Sequence, residues 1–426
     1  MTALAQVSPY YASTAHGAPA RAALAGLIEC DVCVIGGGIA GCSVALHLAE
    51  GGYSVALLEE HVIGWGASGR NGGQAHVGVA CGQAALEQLI GASDARAIWD
   101  VSVEALALTR GLIARHRIAC DWADGQLLVA IRPRQERELG QLLDELTGKY
   151  GYGSARFLER TALHAVLASE RYIAGVHDAN GGHLHPLNYT LGLAAAAERL
   201  GARLYEGTRA LSFEGSTPVR VRTRAGEVRC RQLVLCGNAY LARIAPTLAA
   251  RIMAVGSCVI ATEALGEARA RALITNNAAV ADMNWVLDYF RLSADWRLIF
   301  GGRVTYSGFD PARIAASTRS RMLGVFPQLA GVPVAHAWGG YIDITRNRAP
   351  HFGRVSPCVY FLQGFSGQGV TLATMAGKLV AEALAGEAER FDVFARIPHR
   401  AFPGGAALRR PALVLAMLYY RLKDLL

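Results

Sequence analysis

Lysine is almost missing from this sequence of 426 residues, since only Lys149, Lys378 and Lys423 are present and arginine supplies nearly all of the positive charge. The formal net charge is +8, but the cations are scattered and form no basic cluster of the kind that nucleic-acid-binding proteins carry. A nucleic-acid partner is therefore not expected, and we predict a moderately basic surface that attracts anions only weakly.

Long hydrophobic runs are also missing, and no stretch approaches the roughly 20 apolar residues that cross a bilayer. The first 28 residues lack the basic start and continuous apolar segment of a secretory signal, so a cytoplasmic location is expected. The nine cysteines follow no small-domain disulfide framework. Cys30 and Cys33 form a C-x-x-C, but three residues apart on a strand they point to opposite faces, so no metal site is predicted.

The composition is that of a compact α/β enzyme, with 52% hydrophobic residues, 18% charged residues and 48 glycines. Because the chain exceeds the size of a typical single core, two domains are expected. The last apolar stretch, residues 412–426, is predicted to dock as a terminal helix, with weak contact to a membrane surface as the alternative.

The first glycine-rich motif spans Asp31 to Gly41 and indicates a dinucleotide-binding βαβ unit. An apolar strand over 32–35 leads into Gly36 and Gly38, which permit a tight turn and close approach of a phosphate, and Gly41 lets the helix pack on the strand. The helix over 39–49 presents its positive N-terminus to a pyrophosphate. A second strand over 54–58 delivers Glu59, or its neighbour Glu60, to a ribose.

Three further glycine-rich segments indicate backbone that passes close to a ligand. They cover residues 64–74, residues 233–238, predicted as an apolar strand that ends in Gly-Asn, and residues 360–369, predicted as a strand and glycine turn that lead into a helix over 371–384. Further helices are predicted over 85–116, 135–149, 187–200 and 311–323, strands over 203–211, 219–223 and 227–230, and a turn-rich segment over 178–186.

The fold class predicted from this order is α/β, α+β overall: a Rossmann-like domain interleaved with a smaller domain built on a mixed β-sheet. The Rossmann-like domain is predicted over 1–95, 160–239 and 336–405. The smaller, substrate-binding domain is predicted over 96–159 and 240–335, and residues 406–426 form the C-terminal helix.

Together these segments resemble the FAD-dependent amine and amino-acid oxidoreductases, a superfamily that includes D-amino-acid oxidase, sarcosine oxidase and glycine oxidase. The resemblance covers nearly the whole chain and depends most on residues 66–74, 287–295 and 363–370. It implies FAD as the dinucleotide, held non-covalently, with His76 as the residue that would overturn the non-covalent expectation. The FAD-binding residues that it implies, together with those of the first motif, are Gly36, Gly38, Ile39, Ala40, Gly41, Glu59, Glu60, Ala67, Ser68, Arg70, Asn71, Gly72, Gln74, Ala210, Gly237, Gly364, Gly367, Gln368, Gly369 and Val370.

The same resemblance implies oxidation of a C–N bond by hydride transfer to the flavin. Relatives that oxidise small amino acids place a cation just after the late glycine turn, where this chain has Val370 and Thr371. An amine substrate is therefore expected, with gamma-glutamylputrescine or a related polyamine derivative as the best candidate, and O2 or another electron acceptor as the second partner. No lysine lies in 240–335, where sarcosine-oxidase-like members place one for oxygen activation.

Candidates for contact with the substrate are Asp288, Tyr289, Arg291 and Gln368. Asp288 could attract a cationic amine, while Arg291 or Arg303 could bind a distal carboxylate. Ordinary ion pairing within a sheet is the alternative for these charged residues, and core packing is the alternative for Trp338 and Tyr341, which with His351 could line the site.

Two other functions remain open at this point. One is an amino-acid dehydrogenase acting on an N-methyl or D-amino acid and passing electrons to a quinone. The other, suggested only by the sequence pI of about 9.1, is a flavoprotein that modifies a tRNA base.

Overall fold

The computed structural model describes residues 9–305 and 310–404. The C-terminal helix predicted over 406–426 lies outside the described residues. The described strands, in chain order, are β1 (Gly26–Ile35), β2 (Val55–Leu58), β3 (Gln74–Ala75), β4 (Ala123–Ala130), β5 (Ala155–Glu159), β6 (Ala174–His183), β7 (Arg203–Tyr205), β8 (Ser212–Glu214), β9 (Val219–Arg222), β10 (Gly226–Leu235), β11 (Ile252–Thr262), β12 (Ala279–Asp282), β13 (Tyr289–Leu292), β14 (Leu298–Thr305), β15 (Val334–Thr345), β16 (His351–Ser356) and β17 (Val359–Gln363).

The α-helices, in chain order, are α1 (Tyr10–Thr14), α2 (Ile39–Glu50), α3 (Gln83–Ile90), α4 (Ala92–His116), α5 (Pro133–Asp144), α6 (Arg160–Val166), α7 (Pro186–Arg199), α8 (Pro246–Ala249), α9 (Glu267–Leu273), α10 (Pro311–Val325), α11 (Val370–Leu384) and α12 (Glu389–Ala395). Short 3₁₀ turns cover Ala67–Gly69, Asn238–Arg243 and Pro327–Leu329, and a π-helical turn over Glu145–Lys149 extends α5. No helix in the described part of the chain combines the length and the apolar character that crossing a bilayer would need.

The first sheet has the strand order β16-β17-β10-β1-β2-β7, with β9 and β8 joined to it beside β10. β1 lies at its centre and pairs in parallel with both β10 and β2. β17 also pairs in parallel with β10. Because parallel strands end at the same edge of a sheet, the turns after β1, β10 and β17 meet along one edge, where such folds bind dinucleotides.

The second sheet has the order β15-β11-β14-β13-β12-β4-β6-β3, with β5 beside β6. Its strands pair antiparallel except for β12 and β4. Along the chain, strands of the two sheets alternate in five blocks, which confirms the predicted fold class. Membership changes between β2 and β3, β6 and β7, β10 and β11, and β15 and β16; the predicted domain limits stay a prediction.

The helix α2 stabilises the first sheet by packing on it. α2 is buried along nearly its whole length, from Ile39 to Ala49, because it packs between the sheet, α7 and α11. Gly377 of α11 allows this contact, since an added methyl group there would lie 2.4 Å from Ser43 Oγ. Burial on all sides explains why α2 has almost no polar face.

Three predicted elements need correction. The segment 178–186, predicted as a turn, is mostly the end of β6, because Gly181 and Gly182 lie against Gln126 and Trp122, where a side chain would not fit. The strand predicted over 203–211 ends at Tyr205, and the chain then turns back so that Thr208 N donates to Glu59 O at 2.7 Å. The strands predicted at 227–230 and 233–238 are one continuous strand, β10, which ends at Leu235.

Burial lowers the pKa of His183, His185 and His351 to about 3 and that of His399 to about 4. An unfolded histidine has a pKa near 6.5, so the unfolded chain binds more protons than the folded chain below that pH. The stability that these imidazoles contribute is therefore present above about pH 6.5 and lost as the pH falls towards 4.

Two buried carboxyl groups act in the opposite sense. Burial raises the pKa of Asp282 and Asp343 to about 7, so their cost to stability decreases as the pH falls from 7. Burial also raises the pKa of Glu59 and Asp288, but the described histidines with a lowered pKa outnumber the described carboxyls that burial raises, eight to four. We expect the free energy of unfolding of the holoenzyme to fall by about 2 kcal/mol between pH 7 and pH 5.

A single substitution tests this origin of the acid sensitivity. His185 Nδ1 accepts from Asn188 N at the start of α7, at 3.1 Å, and asparagine is a good replacement at such a position. In urea titrations, His185→Asn should therefore flatten the pH dependence by about 1–2 kcal/mol, while the matched change His16→Gln at an exposed site should not. Equal slopes for both variants would contradict the assignment.

Candidate active site

The turn after β1 is built so that only glycine fits. Gly36 has φ +110°, and a methyl group there would lie 2.7 Å from Cys236 O in the turn after β10. A methyl group on Gly41 would lie 1.9 Å from Gly36 O. Gly38, at the N-terminus of α2, faces Ser68, and Ile39 and Ala40 begin the helix. This arrangement leaves the N-terminus of α2 available to a pyrophosphate, and it fits the predicted role of these residues.

The loop 64–74 returns to the same helix N-terminus. Ser68 Oγ accepts a hydrogen bond from Ile39 N at 2.9 Å. Asn71 holds the loop in shape, because its Nδ2 donates to Ala67 O at 3.0 Å and its Oδ1 accepts from Gly73 N at 2.7 Å. The structure thus brings the predicted loop residues beside the first motif, and the Asn71 side chain is committed to the loop itself.

The rest of this loop contacts the second sheet. Trp338 Nε1 donates to Arg70 O at 2.9 Å, and Gln74 Nε2 donates to Val280 O at 2.9 Å. Gly72 packs on the ring of Tyr289, where an added methyl group would lie 2.6 Å away. The loop therefore lies between the two sheets.

Glu59 and Glu60 lie in different environments. Glu59 is partly buried just after the end of β2, where its carboxylate accepts from Gly37 N at 2.7 Å and from His61 N at 2.8 Å. Burial raises the pKa of this carboxyl. Glu60 is exposed and forms an ion pair with Arg209 at 3.3 Å. The position of Glu59 beside the glycine turn favours it over Glu60 as the acceptor for a ribose, and buried Ala210 follows the segment that bonds to the Glu59 carbonyl.

The late glycine turn, residues 364–369, connects β17 to α11. Gly364 and Gly367 have φ +78° and +95°, and Ser366 adopts the left-handed region at φ +53°. Gly369 precedes the first helical residue, Val370, and supplies no side chain to cap the helix. The Gln368 Oε1 atom is buried without a hydrogen-bond partner within the described residues. A buried acceptor without a donor, beside an uncapped helix N-terminus, fits a site for a polar cofactor.

The turn 236–238 and residue His76 complete this edge. Gly237 packs on Leu241, and Asn238 has φ +48°. Thr371 Oγ1 donates to His76 O at 3.0 Å, which joins the start of α11 to the chain just after the loop 64–74. All three predicted glycine segments thus converge on the same edge of the first sheet.

Two charged residues predicted to contact the substrate, Asp288 and Arg291, have partners within the protein. Asp288 is 1% exposed and forms an ion pair with Arg321 at 2.5 Å. Arg291 is 3% exposed and donates to three backbone carbonyls, those of Gly72 at 2.7 Å, Leu184 at 2.9 Å and Leu292 at 3.0 Å. Because these contacts occupy both side chains, they support the structural alternative rather than contact with a substrate.

Tyr289 and the aromatic residues near it lie beside the loop 64–74. The Tyr289 hydroxyl lies 3.3 Å from Ser257 Oγ, and burial raises its pKa. Tyr11 and Trp338 pack in the same cluster, with their ring centroids 5.4 Å apart. His351 lies elsewhere, 4.1 Å from His399 between ring centroids, where both line a separate cavity of about 380 Å³. The structure thus keeps Tyr289 and Gln368 as candidates and separates His351 from them.

One residue of this region has no sequence motif to reveal it. Asp343 is a buried acid near the end of β15 and hydrogen-bonds to Gly364 N in the late glycine turn. A lone aspartate at the end of a mixed strand gives no signal, because its significance depends on a turn that follows in the chain.

This geometry agrees with the similarity of the chain to known proteins. Residues 31–383 match the family model described as FAD dependent oxidoreductase, so the chain belongs to this family. Its members are FAD-dependent, and this protein is an FAD-dependent oxidoreductase, as the sequence predicted.

Individual relatives are similar over nearly the full length. The chain is 42% identical to gamma-glutamylputrescine oxidoreductase of Escherichia coli, with 98% of each chain covered. It is 39% identical to a probable oxidoreductase, OrdL, of Haemophilus influenzae, with 92% of each covered. Among solved structures, glycine oxidase of Geobacillus kaustophilus has a similar fold at a TM-score of 0.74, with 20% identity over 88% of this chain and 100% of that one.

Proposed function

We propose that this protein oxidises a C–N bond of an amine, with gamma-glutamylputrescine or a related polyamine derivative as the substrate. The observation that carries the proposal is the 42% identity over 98% of both chains to gamma-glutamylputrescine oxidoreductase. The products are an imine, which water splits to an aldehyde and ammonia, and H2O2 when O2 is the acceptor.

The start of α11 supports an amine over an amino acid. The two residues after the late glycine turn are Val370 and Thr371, and the Thr371 hydroxyl is committed to His76 O. Arg291, the buried cation nearest to Gly72, is committed to backbone carbonyls. Neither position therefore offers a cation to the carboxylate of a small amino acid.

FAD supplies the hydride acceptor when it is bound. The chain contributes the N-terminus of α2 for the pyrophosphate, and the N-terminus of α11 at Val370 for negative charge on the ring system. The packed rings of Tyr11, Tyr289 and Trp338 exclude water from the side of the loop 64–74. This task needs orientation and a dry site, and it needs no protein nucleophile.

We propose that FAD is held non-covalently and that the enzyme acts in the cytoplasm. Asn71 is committed to its own loop, and the His76 ring Nδ1 lies 3.1 Å from Val77 O. All nine cysteines are free thiols, which suits a reducing compartment. The partners are the amine and the acceptor.

Two electron acceptors, O2 and a quinone, can be compared directly. Both described lysines lie in ion pairs, Lys149 with Glu87 and Lys378 with Glu104, each at 2.5 Å. Neither is placed for the oxygen activation attributed to a lysine in sarcosine-oxidase-like relatives, which favours testing a quinone beside O2.

An anaerobic titration tests the proposal. We expect gamma-glutamylputrescine to bleach the flavin absorbance of the purified holoenzyme, and glycine, sarcosine and D-alanine at the same concentration to bleach it at least a hundredfold more slowly. Readmitting O2 or a quinone analogue then identifies the acceptor, and acid precipitation of the same sample should release the FAD. Bleaching by amino acids and not by polyamine derivatives would refute the proposed substrate.

A further inference from the structure

Asp343 is a buried acidic residue in a part of the second sheet whose packing does not require one. It lies in β15, where its neighbours across the sheet on β11 are apolar or small, and it is 1% exposed. Burying a carboxyl group in such a place costs stability unless hydrogen bonds compensate for the lost water. Burial raises the pKa of Asp343 to about 7, so the cost is only partly offset.

The hydrogen bonds that Asp343 accepts come from outside its own sheet. Gly364 N of the late glycine turn donates to its carboxylate, and Phe365 N of the same turn and the side chain of Asn238, in the turn after β10, act on that carboxylate to lower its pKa against the larger effect of burial. Its backbone carbonyl accepts from Ser366 N at 3.0 Å. One residue of the second sheet therefore connects two of the turns at the carboxyl edge of the first sheet.

Both turns contain a strained residue at the point of contact. Asn238 and Ser366 have φ of +48° and +53°, a region that costs free energy for residues other than glycine. Such backbone persists only where surrounding contacts fix it, and it is concentrated at functional sites. The contacts that fix both residues here include those made by Asp343.

We infer that Asp343 is a positioning residue for the cofactor: its carboxylate bridges the turns 237–238 and 364–366 and thereby fixes the backbone amides and the N-terminus of α11 that face the flavin. This inference rests on the proposed location of the flavin at the late glycine turn. It does not depend on the identity of the amine, because it concerns FAD binding in the absence of substrate.

Asp343→Asn preserves the size of the side chain but replaces one acceptor oxygen by a donor NH2. That NH2 would face the donors Gly364 N, Phe365 N or Asn238, so one contact of the bridge must break. Asp282→Asn is the matched control, since Asp282 is also a buried carboxyl of the second sheet whose pKa is raised to about 7, but its contacts are to Asn284 and Asp288.

The experiment measures FAD release from the full-length holoenzyme by the recovery of flavin fluorescence on dilution. We expect Asp343→Asn to raise the FAD dissociation constant at least tenfold and Asp282→Asn to change it less than twofold. Melting temperatures are compared with free FAD at a hundred times the dissociation constant of each variant, so that binding adds the same stabilisation to all. Under that condition Asp343→Asn should melt within about 2 °C of the wild type.

Two results would overturn the inference: an unchanged dissociation constant for Asp343→Asn, or an equal loss of FAD from both variants, which would indicate a general weakening of the second sheet. If Asp343→Asn fails to fold, Asn238→Gly replaces it, because glycine tolerates φ +48° and only the amide of the bridge is removed. That variant should bind FAD at least threefold more weakly, and wild-type affinity would again overturn the inference. A failed substrate panel with intact FAD effects would refute the proposed amine and leave this inference standing.

Discussion

Gly41→Ala is expected to yield protein that does not retain FAD. The added methyl carbon would lie 1.9 Å from Gly36 O, well inside the closest approach of two atoms, so α2 must move away from the turn after β1. Overpacking of this kind costs about 1–3 kcal/mol or more. Because the displaced atoms are those that face the pyrophosphate, we expect FAD affinity to fall roughly a hundredfold.

The measurement is the ratio of flavin to protein absorbance in purified, gel-filtered enzyme. Gly111→Ala is the matched control, because Gly111 is exposed within α4 and an added methyl group meets no atom within 4 Å. That control should retain FAD and gain about 0.5–1 kcal/mol of stability from its better helix propensity. Full flavin content in Gly41→Ala would show that the turn after β1 is not the pyrophosphate site.

Arg291→Met should destabilise the protein by about 3 kcal/mol or more. The substitution keeps much of the side-chain length but removes the donors to the buried carbonyls of Gly72, Leu184 and Leu292. An acceptor left unsatisfied in the interior costs about 1–3 kcal/mol. Urea unfolding of the holoenzyme measures the effect.

The control for this change is Arg96→Met, which removes an ion pair to Asp100 that is about half exposed on both sides. Such a pair contributes little, and we expect a change below about 1 kcal/mol. If Arg291→Met kept wild-type stability and instead raised KM for the amine, the guanidinium would be a substrate ligand after all, and its structural assignment would be wrong.

The sequence was informative wherever function restricts the backbone. Gly36, Gly41 and Gly364 are predicted by pattern because each fits only as glycine, and the structure places all three at one edge of the first sheet. The order of strands and helices also predicted the alternation of the two sheets, because apolar periodicity directly indicates local secondary structure.

The sequence was less informative about charged side chains. Asp288 and Arg291 are near neighbours in a motif shared with flavoenzymes, yet one pairs with Arg321 and the other with the carbonyls of Gly72 and Leu184 in two other segments. Such partners are distant in the chain, and no spacing rule reveals them. Asp343 escaped prediction for the same reason, because its role depends on contacts with two turns at other points of the chain.

The turn-rich prediction for 178–186 shows a further limit. Glycine permits both a turn and the close approach of neighbouring side chains, and Gly182 serves the second purpose, because Trp122 fills the space where its side chain would lie. Composition alone does not distinguish the two uses.

The pairing of β1 has a consequence for biosynthesis. Its two neighbouring strands are synthesised at very different times. β2 follows β1 closely, whereas β10 is made only after β3 to β6 of the second sheet. Until β10 has been made, one edge of β1, which ends in four apolar residues, lacks its partner strand. An unpaired strand of this kind is prone to aggregation. Because α11 supplies a helix N-terminus of the site and is translated after β10, this topology places capture of the coenzyme late in synthesis.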